Sequence, residues 1–424
     1  MTMGHISSYL KRFSQETFSS LHVRNYRLYY IGQIISTSGT FMQSVAQAWL
    51  VLSLTNSGTA LGIVTALQYV PILFLGPYGG VVADRISKRK ILYLTQSISG
   101  ALALILGALV AFSLVRVWMV YILAFCLGMV NVFDNPTRQT FYIELVGPEH
   151  LRNAVTLYST LVNLARIIGP AIAGGLIAVV GLAPCFFING VSYFAVVIML
   201  GMMRADELFT TPPVPRAKGQ IQDGFRYVAS TPVLGASLLM MAIIGTLTFE
   251  FQVSLPLIAQ FTFKGDASSY AFLTASMGFG AAVGGLFFAS RKGINPYKLV
   301  SAALFFGLAI LVAASMPSLL LSGLALVVVG MCSINFSSLG NSTLQLESSP
   351  QMRGRVMSLW SVAFLGSTTI GGPIVGWVAE AAGARWGLAL GGLAALAAAA
   401  LGAVTLRNMR GGAAMNGGEE KRPV

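Results

Sequence analysis

Charge is the scarcest property of this chain. Only 10% of its 424 residues are Asp, Glu, Lys or Arg, against about 25% in an average soluble domain. Apolar residues make up 55%, and a single soluble core stops growing near ~250–300 residues. Lipid must therefore solvate much of the surface. Histidine is also scarce: His5, His22 and His150 all fall outside the long apolar runs, so no catalytic imidazole is placed in a membrane. Cys126, Cys185 and Cys332 are odd in number, sit inside apolar runs and match no metal spacing, so they are read as packing residues. There is no Gly-Lys-Ser/Thr phosphate loop, which argues against an ATP-driven pump. No enzyme, metal or cofactor reading survives these absences. A cleaved signal peptide is not expected either, because the first apolar run starts near Tyr29 after a polar stretch with no small-residue cleavage site.

Acids are half as common as bases, 14 against 27, for a net charge of +13. A nucleic-acid partner is rejected because the bases are not gathered on one amphipathic element. They lie in short loops between apolar runs, where positive charge sets membrane orientation. A spanning helix needs about 20 mostly apolar residues. That ruler predicts an all-α membrane protein with twelve spans: 29–53, 59–83, 91–113, 117–137, 154–180, 183–203, 233–260, 268–290, 298–316, 319–342, 355–380 and 386–406. The runs are too long for strands and lack the alternation of a barrel. With the N-terminus cytoplasmic, only Arg116, Lys264 and Arg385 fall on the outer side, so both termini are expected inside.

Residues 1–28 then form a cytoplasmic segment, 29–203 a first six-helix half, 204–232 a cytoplasmic linker, 233–406 a second half and 407–424 a cytoplasmic tail, disordered after Arg410. The linker contains Pro212, Pro213 and Pro215, then an amphipathic stretch (Ile221, Phe225, Val228) expected on the membrane surface. The halves repeat. Gly39-Thr40 recurs as Gly245-Thr246, Gly79-Gly80 as Gly284-Gly285, Pro148 as Pro350 and Gly169-Pro170 as Gly372-Pro373. A duplicated six-helix unit is the architecture in which one half rocks against the other.

The loop after the second span reads Gly80-Val81-Val82-Ala83-Asp84-Arg85-Ile86-Ser87-Lys88-Arg89-Lys90. It resembles the signature loop of the major facilitator superfamily, with Ser87 where that pattern has a second Gly. The resemblance extends to Arg24-Asn25-Tyr26-Arg27-Leu28, Gly39-Thr40-Phe41-Met42-Gln43, Ala46-Gln47-Ala48-Trp49-Leu50 and Asp134-Asn135-Pro136-Thr137-Arg138-Gln139. These are similar to the branch of enterobactin-exporter-like proteins, also called transmembrane secretion effectors, and to macrolide-efflux-like proteins. Over about residues 20–406, the resemblance implies proton-driven export of a siderophore or drug-like compound from the inner membrane by alternating access, by a monomer. It implies a gating loop of Gly80, Asp84, Arg85, Arg89, Lys90 and Arg138, in which Asp84 pairs with Arg138 or with the region near Arg355. In the second half Ala289 and Ser290 replace the acid–base pair, so any latch is one-sided. An importer on the same fold, and a non-transporting scaffold or receptor, are the alternatives.

Ionisable groups inside spans are costly and so are functional candidates. Glu250 falls two-thirds along the 233–260 span; a carboxyl there loses hydration, which favours its neutral form, as a proton carrier requires. Arg166 lies near the middle of the 154–180 span and is expected to face a cavity or a carboxylate, with Glu250 or Asp134 as partner. A pair that breaks on protonation and a permanent structural pair are both open. Asp134 and Arg138, four apart, share a helix face if the helix continues past Pro136; a structural salt bridge is the plainer reading. Gln33, Gln43, Gln47 and Asn163 are candidates to line a substrate cavity, with ordinary interhelical hydrogen bonds at least as good a reading.

Overall fold

The computed structural model describes residues 18–209, 220–289, 296–349 and 352–416. All regular elements among them are helical. In chain order they are α1 (Arg24–Thr55), α2 (Gly58–Arg85), α3 (Lys88–Ala111), α4 (Val117–Val180), α5 (Ala183–Gly201), α6 (Gln220–Ser230), α7 (Pro232–Leu247) and α8 (Phe251–Leu257). There follow α9 (Ala267–Ala289), α10 (Pro296–Ser315), α11 (Leu319–Glu347), α12 (Arg353–Ser361), α13 (Thr368–Ala382) and α14 (Ala384–Asn416). Ten helical stretches among the described residues are long and apolar enough to cross a membrane. One of them, α4, has 64 residues, roughly 96 Å at about 1.5 Å per residue, or three times the ~30 Å hydrocarbon thickness. It turns at Gly147, whose φ of 70° and ψ of 175° leave the helical region and suit only a residue without Cβ. Pro148 then opens the second arm.

Several element ends differ from the sequence reading. The span expected to stop at 137 continues through Pro136 to the Gly147 bend, because a proline costs a buried helix little where neighbouring helices support it. The expected 233–260 helix is interrupted between α7 and α8, then ends in a π-turn over Ile258–Thr262. The expected 355–380 helix contains a second π-turn, Val362–Gly366, between α12 and α13. The tail expected to be disordered after Arg410 is helical to Asn416. The linker's amphipathic stretch is α6; its three prolines lie outside the described residues.

The chain packs as two compact units. One comprises Met1–Gln47 and Phe74–Pro215, the other Ala48–Leu73 and Arg216–Val424. The first unit has a core of Tyr26, Tyr29, Leu92, Phe141, Tyr142, Leu145, Ala154, Val196 and Leu200. The Tyr26 hydroxyl donates to the Ala154 carbonyl at 2.8 Å. Asn25 clamps the backbone of Arg204 in both directions, Nδ2 to its carbonyl at 2.8 Å and its N–H to Oδ1 at 3.0 Å.

Close glycine contacts hold helices together inside each unit. Gly79 in α2 lies against the Val132 carbonyl of α4, and Gly284 in α9 lies 2.7 Å, at an added Cβ, from Met331 of α11. Gly169 in α4 meets Ser38 and Phe41 of α1, both at 2.7 Å from an added Cβ, while Gly371 in α13 meets the Thr246 carbonyl of α7. Small residues let these backbones approach where lipid offers no hydrophobic drive to associate.

The start of α9 is set by Asp266, whose Oδ1 accepts the Ser269 N–H at 2.9 Å and its hydroxyl at 3.1 Å. These bonds, the backbone one first, hold its carboxyl below the usual carboxylate range. A lowered folded-state value means stability that is present above the unfolded value and lost as pH falls through the folded one. Asp266→Ala is expected to cost about 0.5–2 kcal/mol in denaturant titration at pH 7, and less below pH 3.

Candidate substrate and coupling site

In the first unit, α4 brings Asp134 into the interior, where it is 2% exposed. Its Oδ1 accepts from Thr95 Oγ1 at 2.7 Å and Gln96 Nε2 at 2.8 Å, both on α3. Its Oδ2 accepts from Arg138 Nε at 3.1 Å and from Arg138 Nη2. A carboxylate has about four acceptor positions, and all are filled. Arg138 Nη1 continues to Gln33 Oε1 at 2.8 Å. The expected α4 turn pair therefore belongs to a five-residue network tying α1, α3 and α4 together. Arg166 does not join it. Its guanidinium carbon instead lies 5.8 Å from the centroid of Phe41.

The gating-loop residues disperse along the first unit. Arg85 and Lys90 are exposed, and Gly80 is half-buried at the end of α2. Arg89 donates to the Leu200 and Gly201 carbonyls at 2.9 and 3.2 Å, capping the C-terminal end of α5, where a cation is favoured. The side chain of Asp84 lies outside the described set, so its expected pairings are not described either. Gln43 accepts from Asn189 Nδ2 at 2.6 Å, with Ser192 bonded to Asn189 in turn. Gln47 and Asn163 are half-buried.

In the second unit, Glu250 occupies the gap between α7 and α8, with φ −79° and ψ 38°. The Phe249 N–H reaches back five residues to Ile244 at 3.2 Å, and the Glu250 carbonyl restarts the chain by accepting from Val253 and Ser254 at 3.1 and 3.0 Å. Thr248 ties the gap to α14 through the Gly391 carbonyl at 2.8 Å. The carboxyl is 2% exposed and lies on the glycine surface of α13: an added Cβ on Gly371 would sit 3.0 Å from Oε1, and one on Gly372 3.5 Å from Oε2. Its Oε1 has no hydrogen-bond partner. Phe249 stacks edge-on against Phe364 at 5.0 Å and lies 5.4 Å from Phe306, so the gap is lined by aromatic surface. Gly245, on the same turn of α7, faces the carbonyl of Ala363 and, at 2.8 Å from an added Cβ, the Ser367 hydroxyl. The break in one helix thus meets the π-turn of another. Such irregular backbone is tolerated at membrane depth where it is buried in protein or lines a cavity.

Three groups were not singled out by the sequence. Lys88 pairs with Glu144 at 2.6 Å, both about nine-tenths buried; the 56 residues between them carry no local signal. Glu380 on α13 accepts from Ser57 Oγ at 2.8 Å, the Thr59 N–H at 3.0 Å and Thr59 Oγ1 at 2.8 Å. It closes the N-terminus of α2 in the second unit. Below it, Gly58 and Gly62 of α2 meet the carbonyls of Gly376 and Gly372 of α13. The matching Gly-x-x-x-Gly spacings were the available signal. Thr95 and Gln96, which complete the shell of Asp134, are polar residues one helical turn into an apolar run.

Residues 15–417 match the transmembrane secretion effector family. Among curated proteins, the chain is 27% identical to the staphyloferrin A transporter of Staphylococcus aureus over 55% of this chain and 58% of that one. It is 25% identical to the MFS-type transporter YfiS of Bacillus subtilis, over 82% and 85%. It is 26% identical to the enterobactin exporter EntS of Escherichia coli O9:H4, over 91% and 93%. Of solved structures, the peptide transporter PepTSo has a TM-score of 0.73 at 14% identity, covering 92% of this chain and 98% of that one. The bacterial homolog of the human lysosomal transporter Spinster has 0.69 at 14%, covering 90% and 95%. At those identities the likeness is one of fold. The family match, spanning nearly the whole sequence, adds what the fold leaves open: this chain belongs to the transmembrane secretion effectors of the major facilitator superfamily and is a multi-pass membrane transporter of small molecules.

Proposed function

We propose that the protein exports a siderophore or drug-like small molecule by alternating access, driven by the proton gradient across the inner membrane. It does so as a monomer of twelve crossings in two six-helix halves, with both termini cytoplasmic. The observation that supports coupling is Glu250: a buried carboxyl at a break in a spanning segment, with one oxygen unpartnered. Charged, it would be stranded among Phe249, Phe364 and the glycines of α13; neutral, it fits there. Proton uptake and release therefore change the stability of this packing, and the broken helix is the element able to respond. The named relatives support the direction and the substrate class: one is an exporter of enterobactin, another a transporter of staphyloferrin A.

The test is efflux of a panel of siderophores, macrolides and dyes from cells expressing the protein, with and without collapse of the proton gradient. Faster gradient-dependent efflux of at least one compound, relative to cells lacking the protein, is the expected result. Gradient-dependent uptake of the same compounds would reverse the assigned direction, and movement indifferent to the gradient would remove the coupling.

A further inference from the structure

Among the described residues of its own unit, Arg166 forms no ion pair. It is in none of the ion pairs Lys88–Glu144, Arg138–Asp134 and Arg204–Glu207. Among the described residues of the first unit, the buried carboxylates Asp134 and Glu144 are both engaged, Asp134 by four donors and Glu144 by Lys88. Yet Arg166 lies in the middle of the second arm of α4 and is only partly covered. An arginine at such a depth costs about 2.5–3.5 kcal/mol on insertion scales, which a lipid-facing site does nothing to offset. Its position is also built. Gly169, one turn further along α4, packs on the Phe41 Cβ and the Ser38 carbonyl of α1, both 2.7 Å from an added Cβ. That close approach sets the Phe41 ring beneath the guanidinium, 5.8 Å from carbon to centroid, within cation–π range. A ring beneath it occupies only the face of a guanidinium, and the fork of N–H groups in its plane matches a planar carboxylate through two parallel hydrogen bonds. Asn163, one turn before it and half-buried, adds an amide on the same helix face.

We propose that Arg166 and Phe41 form a carboxylate seat, and that the transported molecule carries a carboxylate that supplies the missing counter-charge. This rests on the transport reading above and names the substrate class for it. The first unit then supplies the charge that recognises the substrate, leaving the carboxyl of the second unit to handle protons.

The test is equilibrium binding to the purified protein in lipid nanodiscs, with no gradient present. The probes are citrate and 2,3-dihydroxybenzoate, each paired with its fully methylated ester. At least one acid is expected to bind about tenfold or more tighter than its ester, the scale of one charge-assisted bidentate contact. Arg166→Gln is expected to bring acid and ester within about twofold, Arg166→Lys to restore part of the preference, and Phe41→Leu to weaken it, all with wild-type elution and melting profiles. Equal binding of acid and ester by the wild type, including no binding of either, overturns the proposal; so does an acid preference that survives Arg166→Gln. Gradient-driven efflux without an acid preference would leave the transport reading standing and remove this one. An acid preference without gradient-driven movement would keep the seat and remove the proton coupling.

Discussion

In proteoliposomes with a pH difference of one unit, Glu250→Gln is expected to abolish substrate accumulation while leaving counterflow exchange intact. One proton moved per substrate across one pH unit supplies about 1.36 kcal/mol, enough for about a tenfold concentration ratio. The wild type should approach that ratio and the variant should stay near unity. Glutamine keeps the length of the side chain and a donor for its neighbours on α13, but it has no proton to release. It therefore mimics the neutral state permanently, and the gap between α7 and α8 stays packed on Gly371 and Gly372. A variant that still accumulates substrate tenfold would show that the carboxyl is a structural group. One that loses counterflow as well would show that it serves substrate passage rather than coupling.

The second large effect is expected on stability, at Asp134. Removing it leaves the Arg138 guanidinium buried without its partner, together with the hydroxyl of Thr95 and the amide of Gln96. Breaking a buried ion pair from one side costs about 3–5 kcal/mol, whereas replacing both partners with apolar groups of similar volume is often near neutral. Asp134→Ala should therefore sharply lower the denaturant midpoint in detergent, and Asp134→Leu combined with Arg138→Met should recover most of the loss. A change below about 0.5 kcal/mol for Asp134→Ala, the range of an ordinary surface substitution, would mean that the network contributes little. The same measurement bears on mechanism. A carboxylate whose acceptor positions are all occupied is poorly suited to carry a proton, and this favours Glu250 over Asp134 for that task.

How far the sequence could be read depended on range. The spanning segments were legible because lipid demands long apolar runs. Asn25 and Tyr26, which help carry the family resemblance, turn out to fasten Arg204 and Ala154, a role with no local sign in the sequence. The break before Glu250 was also hidden. The nearest proline, Pro256, lies inside α8, and the interruption is held instead by Thr248 reaching Gly391 on a distant helix. Arg166 was found from its depth alone, but its stacking on Phe41 depends on how closely α4 and α1 approach at Gly169. Glu380 and Ser57 are separated by 323 residues, beyond any pattern a single chain displays.

The contact beneath Glu380 has a consequence for how such a surface parts. Where Gly58 and Gly62 lie on the carbonyls of Gly376 and Gly372, backbone meets backbone, like plates laid flat rather than meshed gears. Were they to part, the three donors now held by Glu380 could be taken up by water at that exposed end. A joint this close is correspondingly intolerant of grit. A single added methyl group would act as a permanent shim.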